Sequence, residues 1–149
     1  MSIGHHQSDS YNKDFYAWAI HNAKLIRKGK FSELDINNIA EELESMGNRD
    51  KRQLINRLSV LISHLLKWQF QSEKQSKSWK LTIKEQRLKV HELLSESPSL
   101  KHELNEKMLL TYKYALILTT KQTKINEKIL PKKCPYSLEQ CLNNKFFPE

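Results

Sequence analysis

Apolar residues recur along this chain three or four positions apart, and helix breakers are scarce. From Tyr11 to about Lys28, the positions Tyr11, Phe15, Trp18, Asn22, Leu25 and Ile26 share one face at ~100° per residue, predicting a helix that Gly29 ends. After a short loop with Phe31 and Leu34, Asp35 is placed to cap a second helix, because its carboxylate can accept amide protons that the first turn leaves unsatisfied. That helix presents Ile36, Ile39, Leu43 and Met46 and is expected to stop at Gly47, a natural residue just past a helix end. The third and longest helix is expected from about Arg49 to Gln71. In it Leu54, Leu58, Leu61, Leu65 and Trp68 keep heptad-like spacing, and Ile55, Ile62 and Leu66 widen the stripe.

The polar linker SEKQSK leads to a fourth helix, Ser78 to Glu96, with Trp79, Ile83, Val90, Leu93 and Leu94 on one face. Ser97-Pro98-Ser99 restarts the chain, since proline is tolerated only in a helix's first turn. A fifth helix, Leu100 to about Thr120, contains MLLTYKYALIL and is apolar on more than one face, with Leu109 and Leu116 opposite Leu104 and Thr111. A side left uncovered there would serve self-association or a protein partner. Beyond Ile129 the chain reads as an extended strap with a short helix begun at Ser137. There is no β alternation, internal repeat or domain linker. The expectation is an all-α, single-domain helical bundle of about five main helices with a C-terminal strap and short helix. It spans residues 11–149 and follows a polar, flexible tail at 1–10 that includes His5 and His6.

Composition narrows this picture. At 149 residues the chain suits one domain that buries roughly two-thirds of its unfolded surface without covalent staples. Two cysteines, Cys134 and Cys141, are too few for a disulfide scaffold and form no CxxC pair. No segment approaches ~18 uninterrupted apolar residues, and the N-terminus lacks a signal-peptide core, so a cytoplasmic setting without membrane contact is expected.

The formal charge is +8, but lysines outnumber arginines 20 to 5. Genome composition is the favoured explanation of that bias over phosphate recognition, which would favour arginine's bidentate fork. Between Lys67 and Lys89, seven basic residues stand against two acids, with Trp68, Phe70 and Trp79 interleaved. Lys67, Lys74, Lys77, Lys80 and Lys84 are therefore candidate nucleic-acid contacts, although no helix-turn-helix or RNA-binding signature accompanies them.

Chemistry has one candidate locus. His64 borders the apolar stripe of the third helix beside Trp68. If the helices fold together, Glu42, His64 and Arg87 can form one polar patch with Trp68 and Trp79 nearby. The favoured reading is a satisfied polar layer, because buried polar groups must find partners. The other is a small-ligand or enzymatic site, since histidine titrates near neutrality. His21, His64, His91 and His102 lie on different predicted helices with no metal-binding spacing, and neither cysteine has a histidine near it in sequence. No metal, cofactor or catalytic residue is assigned.

Five strings, DFYAW (Asp14 to Trp18), EELESMG (Glu41 to Gly47), HLLKWQ (His64 to Gln69), SWKLTIKEQR (Ser78 to Arg87) and CPYSLEQCL (Cys134 to Leu142), occur in an order and spacing that resemble the domain of unknown function 29 family of bacterial proteins. The resemblance covers nearly the whole chain. It implies a compact helical bundle and no activity. The linker departs from the family pattern, being rich in Lys and Gln where Arg is common. The resulting expectation is a non-enzymatic binding or adaptor module, with nucleic-acid binding by the 67–89 face as the alternative and a site around His64 third.

Overall fold

The structure, a computed structural model, describes residues 10–149; the expected N-terminal tail, with His5 and His6, lies outside the described residues apart from Ser10. Every regular element among the described residues is helical, as the periodicity predicts. The chain divides into two compact units, Met1–Asn48 and Arg49–Glu149.

In the first unit, residues 10–13 make a single helical turn before α1 (Phe15–Arg27). The expected start at Tyr11 shifts because Asp14 interrupts the run and caps α1, its side chain accepting the Ala17 amide at 3.1 Å. The other end is a Schellman turn. Gly29 adopts φ 72°, its amide bonds to the Ile26 carbonyl at 3.1 Å, and the Lys30 amide reaches back to Leu25 at 2.9 Å. A 3₁₀ turn (Phe31–Glu33) leads into α2, Ile36–Phe70.

The expected break at Gly47 does not occur: α2 runs through it for 35 residues. A glycine ends a helix when the chain needs a left-handed residue, and Gly29 is the one position among the described residues with positive φ. Asn48-Arg49-Asp50-Lys51 contains no proline to stop propagation, so the helix carries the glycine at a cost of about 1 kcal/mol relative to alanine.

In the second unit, a 3₁₀ turn (Ser72–Lys74) separates α2 from α3 (Lys77–Glu96), where Ser76 accepts the Trp79 amide at 3.1 Å. The expected fifth helix is divided into α4 (Leu100–Glu106) and α5 (Met108–Gln122). At Lys107 the amide is shared between the Glu103 and Leu104 carbonyls at 3.0 and 3.1 Å. No glycine or proline marks this break. A third 3₁₀ turn (Glu127–Ile129) lies in the strap. α6 (Leu138–Leu142) opens with a capping box in which Ser137 and Gln140 bond reciprocally at 3.0 Å.

The core of this unit is continuous. Leu54, Leu58, Leu61, Ile62, Leu65 and Leu66 of α2 are sealed against Ile83, Val90, Leu104, Tyr112, Ala115 and Cys141. Small residues form a close seam between α2 and α5, where Ser63 and Thr119 join hydroxyls at 2.8 Å and Ser59 reaches the Thr111 carbonyl at 3.3 Å. The strap is pinned by Tyr136, whose hydroxyl reaches Gln69 Oε1 at 2.7 Å and the Leu65 carbonyl at 3.2 Å.

Candidate functional site

Of the expected polar patch, Glu42, His64 and Arg87 each have a hydrogen-bond partner within their own unit. In the first unit Glu42 accepts the Tyr11 hydroxyl, and Tyr11 packs edge-on to Trp18 at 4.7 Å between ring centroids. The bond to Glu42 pushes the Tyr11 hydroxyl up to about 12. Beside it, Asp35 is buried and accepts both the Trp18 indole N–H and the Asn38 amide at 2.8 Å. Asn22 completes the network, accepting the Asp35 amide at 3.0 Å and donating to the Trp18 carbonyl at 2.9 Å.

In the second unit His64 is half-buried, with Nδ1 at 2.9 Å from the Val60 carbonyl of the preceding turn. Burial lowers its pKa from the ordinary value; the Val60 bond opposes that shift and Lys67 adds to it. Arg87 is buried on α3. Its Nε donates to the Cys141 carbonyl at 2.7 Å, and Nη2 donates to the Phe146 carbonyl at 2.7 Å and the Gln140 carbonyl at 3.4 Å. It thus ties α6 and the chain beyond it to α3 through carbonyl oxygens, with the Phe147 ring at 5.4 Å. Glu42 belongs to the first unit, and His64 and Arg87 belong to the second.

The basic face also differs from expectation. Lys67 is buried, its Nζ bonds to Gln122 Oε1 at 2.5 Å, and burial lowers its pKa. Trp68 packs on Phe147 at 5.0 Å, and Trp79 is half-buried. Lys74, Lys77, Lys80 and Lys84 are exposed. Lys80 and Lys84 border a pocket of about 420 Å³ together with Arg87, His91 and Phe147. His91 Nε2 lies 2.8 Å from the Leu142 carbonyl. Cys134 and Cys141 are both free thiols. Their mutual hydrogen bond lowers the half-buried Cys134 and, with burial, raises Cys141.

Two surfaces were not identified from the sequence. On the first unit an apolar groove of about 430 Å³ is lined by Phe15, Ala19, Ile26, Ile39, Leu43 and Met46. The helical spacing revealed this face, but not that it stays open. On the second unit a groove of about 590 Å³ is lined by Arg49, Arg52, Gln53, Asn56, Arg57 and Gln86, with Val60 at its edge. The available signal was three of the chain's five arginines within nine positions, on the side of α2 away from Leu54 and Leu58. Of the expected open side of the fifth helix, Leu109 is exposed on α5 with Leu110, Tyr114 and Ile117, whereas Leu116 is half-buried; Thr111 on α5 and Leu104 on α4 are buried.

These features describe an all-helical protein in two compact units, in which Glu42, His64 and Arg87 each have a hydrogen-bond partner. Among the described residues no group of His, Cys, Asp and Glu is arranged to hold a metal ion, and no helix is long and apolar enough to cross a membrane. The sequence model of the family described as "Domain of unknown function DUF29" matches residues 10–147, and the chain belongs to that family. No curated protein and no solved structure matches it.

Proposed function

We propose that this chain is a non-enzymatic binding module that pairs with a second copy of itself through the apolar groove of the first unit. The observation that carries this reading is the exposure of Leu43 and Met46 at 63% and 56%, together with Phe15 and Ile26, around one groove. A contiguous apolar surface of this kind marks an association site.

Charge argues for a second copy as the occupant. Residues 10–48 carry five basic and six acidic side chains, so two such units do not repel one another. The charges are also segregated: Lys24, Arg27, Lys28 and Lys30 are exposed around the end of α1, and Glu41 and Glu44 are exposed early in α2. In a two-fold pairing each patch meets its own copy reversed, so the basic end of one groove faces the acidic end of the other. The apolar side of α5 is a poorer candidate for self-pairing, because it belongs to a unit with 20 basic and 10 acidic residues and has Lys113 and Lys121 exposed along it.

Sedimentation equilibrium tests the proposal. The expected species is a dimer that Leu43→Glu converts to monomer. Reversing Glu41 and Glu44 to lysine weakens the dimer, and adding Lys24→Glu and Lys28→Glu restores it. A wild-type monomer at all accessible concentrations contradicts the reading.

A further inference from the structure

We infer that the Arg49–Arg52–Arg57 groove is a binding site for double-stranded DNA. Arg49, Arg52, Gln53, Asn56 and Arg57 occupy positions i, i+3, i+4, i+7 and i+8 of α2, one side of a helix whose other side enters the core through Leu54, Ile55 and Leu58. Nothing in the core requires this set of side chains. The guanidinium is the cation best matched to phosphate oxygens and to guanine, and Asn or Gln pairs in the same bidentate way with adenine. A chain with 20 lysines places three of its five arginines here, with three amides.

The arginines are available. Among the described residues no ion pair engages Arg49, Arg52 or Arg57; Arg57 Nη1 donates to Gln86 Oε1 at 3.5 Å. Glu85, whose carboxyl feels Arg57, bonds to Lys89 at 2.7 Å. Arg49 and Arg57 are eight positions apart, about 12 Å along the helix, which suits a row of phosphates better than a single one. The surrounding unit, with 20 basic and 10 acidic residues, supplies the longer-range attraction.

The lining also selects among nucleic acids. Among the described residues no aromatic ring borders the groove, which gives single-stranded bases nothing there to stack on. A helix face carrying Arg, Gln and Asn suits the wide major groove of B-form DNA, whereas the major groove of A-form RNA is too deep and narrow to be read by side chains. The 67–89 lysine face is a weaker platform. Lys67 is buried, and its two indoles are half-buried.

Fluorescence anisotropy with a labelled duplex DNA, and with single-stranded DNA, double-stranded RNA and inorganic polyphosphate as competitors, tests the inference across a range of salt. Wild-type protein is expected to prefer duplex DNA and to weaken steeply with salt as counterions are released. Arg49→Gln with Arg52→Gln, both at exposed positions, is expected to weaken binding by about tenfold or more and reduce the salt slope by about 2. The charge-matched control Lys132→Gln with Lys133→Gln is expected to change affinity by less than about twofold. Arg52→Lys retains the charge without the fork and is expected to fall between wild type and the double variant. Unaltered melting of these variants separates lost binding from lost fold. Absence of duplex binding at low salt, an equal loss in the lysine control, or equal competition by RNA or polyphosphate overturns the inference.

Discussion

Within α2, Leu54, Leu58, Leu61 and Leu65 are sealed, whereas Ile36, Leu43 and Met46 stand more than half exposed. Both stretches have helical apolar spacing, but they belong to different units and are treated in opposite ways. The second unit closes an apolar core and leaves a basic exterior. The first unit buries a polar network (Trp18, Asn22 and Asp35) and leaves much of its apolar surface open. Periodicity in a sequence therefore identifies an apolar face without saying whether the same chain will cover it.

The sharpest way to break this contrast is to shorten equivalent leucines. Leu58→Ala removes a side chain with no exposure and should cost about 2–5 kcal/mol, through lost burial and the cavity left behind. Leu43→Ala in dilute, monomeric protein should change stability by about 0.5 kcal/mol or less. Urea unfolding of the two variants makes the comparison, and equal losses would place Leu43 in a core.

The first unit's polar network should be sensitive to Asp35. Asp35→Ala leaves the buried Trp18 indole N–H without its acceptor, which is expected to cost about 1–3 kcal/mol. Because the loss should be confined to that unit, hydrogen exchange is expected to rise in α1 while the α2–α5 seam stays protected.

His64 tests the second unit's polar border. His64→Ala should destabilise by about 1–3 kcal/mol, through the lost Val60 bond and lost packing, and His64→Gln should recover much of it. Burial holds the folded pKa below 6.5, so the unfolded chain takes up the proton first as pH falls. The stability that His64 contributes is fully present above about pH 6.5 and is lost as pH drops from there towards the folded value. The advantage of wild type over His64→Gln should accordingly shrink between neutral pH and pH 5; an advantage that grows on acidification would assign the ring a different partner.

The smallest effects concern the two glycines. A Cβ at Gly47 meets nothing within 4 Å, so Gly47→Ala should stabilise α2 by about 1 kcal/mol. Gly29 has equally open surroundings but a φ of 72°, so Gly29→Ala should destabilise by about 1 kcal/mol. Thermal melting distinguishes the signs, and a destabilising Gly47→Ala would point to a bend at that position.

These glycines also explain what was legible in the sequence. Helix positions, the stop at Gly29 and the start at Ser137 followed from local chemistry that α1 and α6 retain. Gly47 misled because a glycine is compatible with a helix end without requiring one. The division at Lys107 had no marker, since the residues on either side are good helix formers. The grouping of Glu42, His64 and Arg87 depends on tertiary convergence, which helical spacing does not specify; each residue has a hydrogen-bond partner in its own unit. The clustering of Arg49, Arg52 and Arg57 lies on the side of α2 that apolar periodicity does not mark, because that periodicity reports only the side a helix buries.

The central claim, that the first unit completes its apolar surface by association, is tested most directly by hydrogen exchange measured across protein concentration. The account predicts fast exchange in α1 and residues 36–48 at low concentration, clear protection there as concentration rises, and slow exchange of residues 54–66 throughout. Protection of residues 36–48 that is independent of concentration and matches that of residues 54–66 would contradict it.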